Sequence, residues 1–174
     1  VSPVEMASVY ATFASGGIAC KPVAITSMTD RHGTRLPVPS AACRRVITPY
    51  VASAVTDVMR GVFGSSGTGA GLSLGARPAA GKTGTTNENK SAWFAGYTPD
   101  LAAAVMFVKD GADGKPVSLS GTGGMNSVTG GSFPARIWTA FMKAALEGSP
   151  VQQFTDPTVT PSATPSVTPS PSTS

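Results

Sequence analysis

The run Gly81-Lys82-Thr83-Gly84-Thr85-Thr86 gathers a cation and three hydroxyls around two glycines, a set that could hold an anion. One such chemistry is nucleotide binding. A phosphate-binding loop reads Gly, four residues, then Gly-Lys-Thr or Gly-Lys-Ser, and it opens a helix whose N-terminus faces the phosphate. Here Ala76 occupies the slot of the first glycine, and Gly75 falls one position early. Lys82-Thr83 leads through Gly84 into Thr85-Thr86-Asn87 and then a strand-like run, so no helix opens there and the nucleotide reading fails. Standing alone, Lys82 reads as an exposed strand lysine in a surface ion pair. His32 is the only histidine and there are two cysteines, which argues against a zinc site. No metal and no cofactor is implied.

The elements that must position this run follow from periodicity. Ser2-Pro3-Val4-Glu5 predicts a helix start, with Ser2 as cap, Pro3 at the first helical position and Glu5 closing a capping box. Met6, Val9, Tyr10 and Phe13 follow helical spacing, and Gly16-Gly17 end the helix. Residues 22–28 read as a short strand, and Asp30-Arg31-His32-Gly33 as a turn into 34–36. A second helix starts at Thr48-Pro49 and places Val51, Ala54, Val55, Val58, Met59 and Val62 on one buried face. Residues 64–75 form a glycine-rich and serine-rich loop. Three strands are expected at 79–85, 92–97 and 101–109, joined by short connections that favour an antiparallel meander. The Lys-Thr-Gly run falls on the first of them. A last helix has Pro134 near its start, Gly148 past its end, and Ile137, Trp138, Phe141, Met142 and Ala145 as its apolar face. Strands bracketed by helices predict an α+β fold.

Composition limits the alternatives. In 157–174 every residue is Pro, Ser, Thr, Val or Ala, so too little apolar surface is available to offset ordering entropy, and 155–174 is expected to be a disordered tail. Residues 1–154 suffice for one domain or part of one. Val1 falls inside a helix cap, which suggests a piece of a longer polypeptide. No window supplies the roughly 18 apolar residues of a membrane span. Net charge is +4, but the basic residues are scattered along the sequence, with only Arg44 and Arg45 adjacent. That pattern reads as a solvated basic surface and not as a nucleic-acid stripe. Cys20 and Cys43 are either two buried thiols or a disulfide worth about 3 kcal/mol on the loop-entropy model, and composition does not separate the two.

Gly81-Lys82-Thr83-Gly84-Thr85-Thr86 followed by Ala92-Trp93-Phe94-Ala95-Gly96-Tyr97-Thr98-Pro99 closely resembles the transpeptidase domain of bifunctional, class A penicillin-binding proteins. Ser2-Pro3-Val4-Glu5-Met6-Ala7 with Ala14-Ser15-Gly16-Gly17 resembles the helix that such domains carry after their second motif. Thr129-Gly130-Gly131 through Pro134, Ile137-Trp138 and Phe141-Met142 is similar to their closing helix. A cysteine at each of positions 20 and 43, with a Thr/Ser/Pro tail, resembles actinobacterial members. The resemblance covers nearly the whole of 1–154. It implies an oxidising exterior, and with it a Cys20–Cys43 disulfide.

The resemblance also implies roles. Lys82 supplies positive charge beside the reacting serine and the substrate carboxylate, and Thr83 and Thr85 hydrogen-bond that carboxylate. Gly84 lets a peptide lie close to the strand. The backbone N–H of Thr85 is one of two donors to the tetrahedral oxyanion, so Lys82 and Thr85 are the catalytic pair and Thr83, Gly84 and Thr85 bind substrate. Two family elements are missing. Three positions before each of the six lysines stands Ile18, Ala79, Asn87, Met106, Ala112 or Ala140, so there is no Ser-x-x-Lys. Two positions before Asn87, Asn89 and Asn126 stand Thr85, Asn87 and Gly124, so there is no Ser-x-Asn.

The expected function is therefore part of a peptidoglycan D,D-transpeptidase that binds β-lactams and stem peptides through an acyl-serine. This chain alone lacks the nucleophile and depends on an upstream part of the same domain. The location is expected to be extracytoplasmic and wall-facing, with any membrane anchor upstream, and no nucleic-acid partner is expected. The competing readings are a D,D-carboxypeptidase or β-lactamase-like hydrolase fragment, which passes the acyl group to water, and a non-catalytic remnant.

Overall fold

A computed structural model describes residues 1–155, so the tail expected at 155–174 lies, apart from Thr155, outside the described residues. The first helix, α1 (Pro3–Ala14), opens on a full capping box. The Ser2 hydroxyl accepts from the Glu5 amide, and the Glu5 carboxylate accepts from the Ser2 amide at 2.7 Å. That backbone N–H, with the Ser2 hydroxyl, holds the Glu5 carboxyl below its usual range. The chain leaves α1 through Gly16 and Gly17, both at positive φ (68° and 100°), a conformation that side chains with a Cβ resist.

Next comes a small lobe. β1 (Ile18–Ala19) pairs antiparallel with β4 (Arg44–Arg45), and between them β2 (Met28–Thr29) pairs with β3 (Arg35–Leu36). The strand expected at 22–28 shrinks to Met28–Thr29. Only these two residues face a partner strand, opposite Leu36 and Arg35, and Pro22 has no amide to give a ladder. The expected turn is built on Asp30, whose Oδ1 accepts from the amides of His32 (2.8 Å) and Thr34 (2.9 Å). A Cys20–Cys43 disulfide closes the lobe.

α2 (Pro49–Arg60) is capped by Thr48, whose hydroxyl accepts from the Val51 amide at 3.3 Å. Its inward face differs from the expected one. Ala52 and Thr56 are buried, whereas Val51 and Val58 are 43% and 81% exposed. A polar contact sets the rotation: Thr56 Oγ1 meets the Tyr97 hydroxyl at 2.7 Å and also bonds the Ala52 carbonyl. Apolar periodicity does not register a threonine buried for its hydroxyl.

β5 (Ala80–Thr85), β6 (Ser91–Tyr97) and β7 (Ala102–Val108) form the expected meander, in the spatial order β5-β6-β7. One face of the sheet packs on α1 through Ala80, Ala95, Tyr97 and Tyr10. The other packs on α3 (Phe133–Ala145) through Phe94, Trp138 and Met142. The Trp138 indole N–H is shared between the carbonyls of Gly96 and Ala103, at 3.2 Å each. Gly96 has to be glycine, because a Cβ there would lie 2.9 Å from Trp138 Cζ2. The buried face of α3 is Ala135, Trp138, Thr139 and Met142. Ile137, Phe141 and Ala145, assigned above to its core face, are exposed. Docking Trp138 and Met142 one turn apart onto Phe94 swings Ile137 and Phe141 sideways. There they join Pro3, Val4 and Ala7 along an apolar trough beside β7. Phe154 returns to stack edge-on against Tyr97, and the Ser53 hydroxyl donates to the Thr155 carbonyl. The result is an α+β arrangement.

Candidate active site

Lys82, Thr83, Gly84 and Thr85 lie together on β5, opposite Ala95, Phe94, Trp93 and Ala92 of β6. Among the described residues β5 is an edge strand, with only one side of its backbone paired. Thr86 donates its amide to the Ser91 carbonyl at 3.0 Å, closing the hairpin with a hydrogen-bonded pair. Antiparallel ladders alternate, so the even-numbered residues of β5 face β6, and the amides and carbonyls of Gly81, Thr83 and Thr85 point to the open edge. The Lys82 ammonium, itself exposed, donates to one of these outward carbonyls, that of Thr83, at 2.9 Å. The edge therefore offers two outward N–H donors from the threonines, with a cation between them.

Side chains alternate across the sheet, which puts Lys82 and Gly84 on one face and Thr83 and Thr85 on the other. On the threonine face, two loops close in. Thr83 Oγ1 lies 2.9 Å from the hydroxyl of Thr68, which belongs to the glycine-rich loop 64–75. Thr85 Oγ1 accepts from the Gly130 amide at 3.2 Å. Gly130 can approach only because it lacks a side chain, since a Cβ there would sit 2.8 Å from both Gly84 N and Gly84 O. On the Lys82 face, Gly84 leaves Trp93 uncovered, as a Cβ at Gly84 would lie 3.3 Å from Trp93 Cβ. Beside it a trough of about 830 Å³ runs over Trp93, Met106 and Val108 towards Thr85 and Thr86.

The residues singled out from the sequence are thus contiguous on one strand edge. Thr68 and Gly130 were not assigned a role from the sequence. Their loops were visible as glycine-rich stretches, but nothing local says that Thr68 meets Thr83 or that Gly130 meets Thr85. Trp93 is half-buried and Phe94 fully buried, so Phe94 is core while Trp93 borders the trough. Among the described residues no group of three or more His, Cys, Asp or Glu side chains could hold a metal.

The family model for the penicillin binding protein transpeptidase domain matches residues 1–127. Penicillin-binding protein 1A of Mycolicibacterium smegmatis is 38% identical over 163 residues, covering 89% of this chain and 20% of that protein. Penicillin-binding protein 1A of Clostridium acetobutylicum is 34% identical over 140 residues, covering 80% of this chain and 16% of that protein. Among solved structures, penicillin-binding protein PonA1 from Mycobacterium tuberculosis superposes with a TM-score of 0.75 at 35% identity, over 90% of this chain and 41% of that one. The same protein in complex with penicillin V superposes with a TM-score of 0.69 at 32% identity, over 90% of this chain and 41% of that one. The chain thus spans only a fifth or less of the length of these full-length relatives. With the family model matching 127 of its 174 residues and relatives more than 30% identical, the chain belongs to the penicillin-binding protein transpeptidase domain family.

Proposed function

We propose that this chain supplies the Lys-Thr-Gly strand of an extracytoplasmic D,D-transpeptidase that cross-links peptidoglycan stem peptides and binds β-lactams. The observation that carries the reading is the open edge of β5, where the outward amides of Thr83 and Thr85 flank the exposed Lys82. An extended peptide can add to such an edge through backbone hydrogen bonds, and Gly84 leaves room for it. In this reading a serine hydroxyl attacks the D-alanyl carbonyl carbon, and the C–N bond to the terminal D-alanine breaks. The acyl group then passes from the serine to an incoming amine, which regenerates the hydroxyl. The Thr85 N–H stabilises the oxyanion of each tetrahedral intermediate. Lys82 and the Thr83 and Thr85 hydroxyls hold the substrate carboxylate.

The nucleophile comes from an upstream part of the same domain, because no serine here stands three positions before a lysine. The edge of β7, unpaired among the described residues, and the apolar trough of Val4, Ile137 and Phe141 support the packing of such a segment against this chain. In the longer protein, Lys82→Ala slows acylation by a fluorescent penicillin about a hundredfold, the equivalent of about 3 kcal/mol of preorganised electrostatic stabilisation. The 174-residue chain alone forms no covalent adduct. Stoichiometric labelling of the lone chain, or a normal acylation rate for Lys82→Ala, overturns the reading.

A further inference from the structure

The two hydroxyls on the threonine face of β5 each have a neighbour from another loop, and the direction of those hydrogen bonds decides what they can bind. A hydroxyl has a single proton to give and two lone pairs with which to receive. Thr85 Oγ1 accepts from the Gly130 amide at 3.2 Å, and a backbone N–H can only donate. Among the described residues the Thr85 hydroxyl has no other partner, so its proton is left for an acceptor outside them. Thr83 Oγ1 lies 2.9 Å from Thr68 Oγ1, and on geometry either oxygen can be the donor.

Thr68 is held at this place by its neighbours in the glycine-rich loop 64–75. The Gly69 amide donates to the carbonyl of buried Val62 at 2.9 Å, and a Cβ at Gly67 would strike that same carbonyl. Gly131 lies against the Thr68 carbonyl, which a Cβ there would also strike. Gly130 and Gly131 are consecutive, so one glycine pair touches the Thr85 hydroxyl directly and the backbone of Thr68 beside it. A hydroxyl fixed by packed backbone is already in place when a ligand arrives, and little ordering remains to be done.

We propose that Thr68 is a positioning residue that donates to Thr83 and so turns the Thr83 proton towards the substrate carboxylate, an inference that rests on the carboxylate-binding role proposed for β5. The reasoning is a count of protons. An ionised carboxylate can only accept. Once Thr83 gives its one proton to that carboxylate, its contact with Thr68 survives only with Thr68 as the donor. Thr68 then does for Thr83 what the Gly130 N–H does for Thr85. Both strand hydroxyls face the ligand as donors, an arrangement that favours an anion over a neutral group of the same shape. In this role Thr68 acts through Thr83 and touches no reacting atom.

The test uses the longer protein, which carries the nucleophile. It compares acylation by benzylpenicillin with acylation by the methyl ester of benzylpenicillin, in which the anionic carboxylate is masked. The readout is the ratio of the two rate constants, because a loss of folded protein divides out of it. Thr68→Val keeps the shape and removes the hydroxyl. It slows benzylpenicillin about tenfold, as the loss of one hydrogen bond in a chain ending on a charge does, and leaves the ester within about twofold of the parent. Thr68→Ser keeps the hydroxyl and the parent's ratio. Lys82→Ala in the same protein is the control for the strand itself, and it loses the preference for benzylpenicillin. If Lys82→Ala behaves so while Thr68→Val slows both compounds alike, or neither, the proposal is overturned and the reading of β5 stands. Loss of the ratio in Thr68→Ser also overturns it, since the hydroxyl is still there. A normal acylation rate for Lys82→Ala overturns the reading of β5, and this proposal with it.

Discussion

The amide of Gly130 donates to the hydroxyl of Thr85 at 3.2 Å, linking the loop before α3 to the edge strand that carries Lys82. The contact sets the position of Thr85, and it depends on Gly130 having no side chain. Gly130→Ala forces backbone against backbone and should cost about 1–3 kcal/mol, as overpacking does. Thr85→Val leaves the Gly130 N–H without its partner and should cost about 1–2 kcal/mol, while Thr85→Ser restores most of it. Urea unfolding of the three variants ranks these effects. If Thr85→Val is as stable as the parent, the hydrogen bond contributes nothing to the site.

Arg77 holds the far end of the same strand. Its side chain is 8% exposed and pairs with Asp100 at 3.1 Å. The same guanidinium donates to the carbonyls of Leu146, Ser149 and Pro150 just past α3. One planar group thus ties the approach to β5, the β6–β7 turn and the end of α3. Arg77→Ala strands these acceptors and should destabilise the fold by about 3 kcal/mol. Arg77→Lys should recover little, because a compact ammonium cannot reproduce a fork of this width. Recovery of the parent's unfolding midpoint by lysine would mean that charge alone, and not shape, is used.

Different residues explain why parts of this structure were legible in the sequence and others were not. The α1 capping box and the β5-β6-β7 meander rest on local rules, and they appear at the expected residues within one or two positions. The outward faces of α2 and α3 were misjudged at Val51, Val58, Ile137 and Phe141. Both errors have one cause. Hydrophobic spacing identifies an amphipathic helix, but its rotation is fixed by particular contacts, here Thr56 with Tyr97 and Trp138 with Gly96. The candidate residues Lys82, Thr83, Gly84 and Thr85 fall together on β5 because they are consecutive. Thr68 and Gly130 reach them from loops 15 and 45 residues away along the chain, which no local pattern encodes.

The Cys20–Cys43 link closes the lobe with the Cα atoms 4.1 Å apart. In exported protein, mass spectrometry of the unreduced chain should show both cysteines blocked to alkylation and one peptide pair joined. Reduction should loosen 20–45, seen as faster amide exchange there, with little change in the sheet, since β2 and β3 do not pack on it. Two freely alkylated thiols in secreted material would count against the bridge.

Tyr97 links fold stability to alkaline pH. Its ring is fully buried between α1, α2 and Phe154. Burial raises its pKa above the ordinary 10.0, outweighing the Thr56 hydrogen bond, which acts in the opposite direction. Tyr10, packed at 6.0 Å from it, is raised by burial as well. The sign follows from proton counting. Above pH 10.0 the unfolded tyrosines lose protons that the folded ones keep, so the unfolded state gains stability as pH rises. The contribution is therefore complete below pH 10.0 and falls away above it. The decisive quantity is a difference between proteins, in which the groups common to both cancel. Tyr97→Phe with Tyr10→Phe should lower stability near neutral pH by about 1 kcal/mol, the usual net value of the lost hydrogen bond. Above pH 10.0 the double variant should lose stability more slowly with pH than the parent, and the two curves should converge. Urea unfolding across that range, followed by phenolate absorbance, reads both slopes. Parallel curves would show that these two phenols ionise as freely in the folded protein as in the unfolded chain.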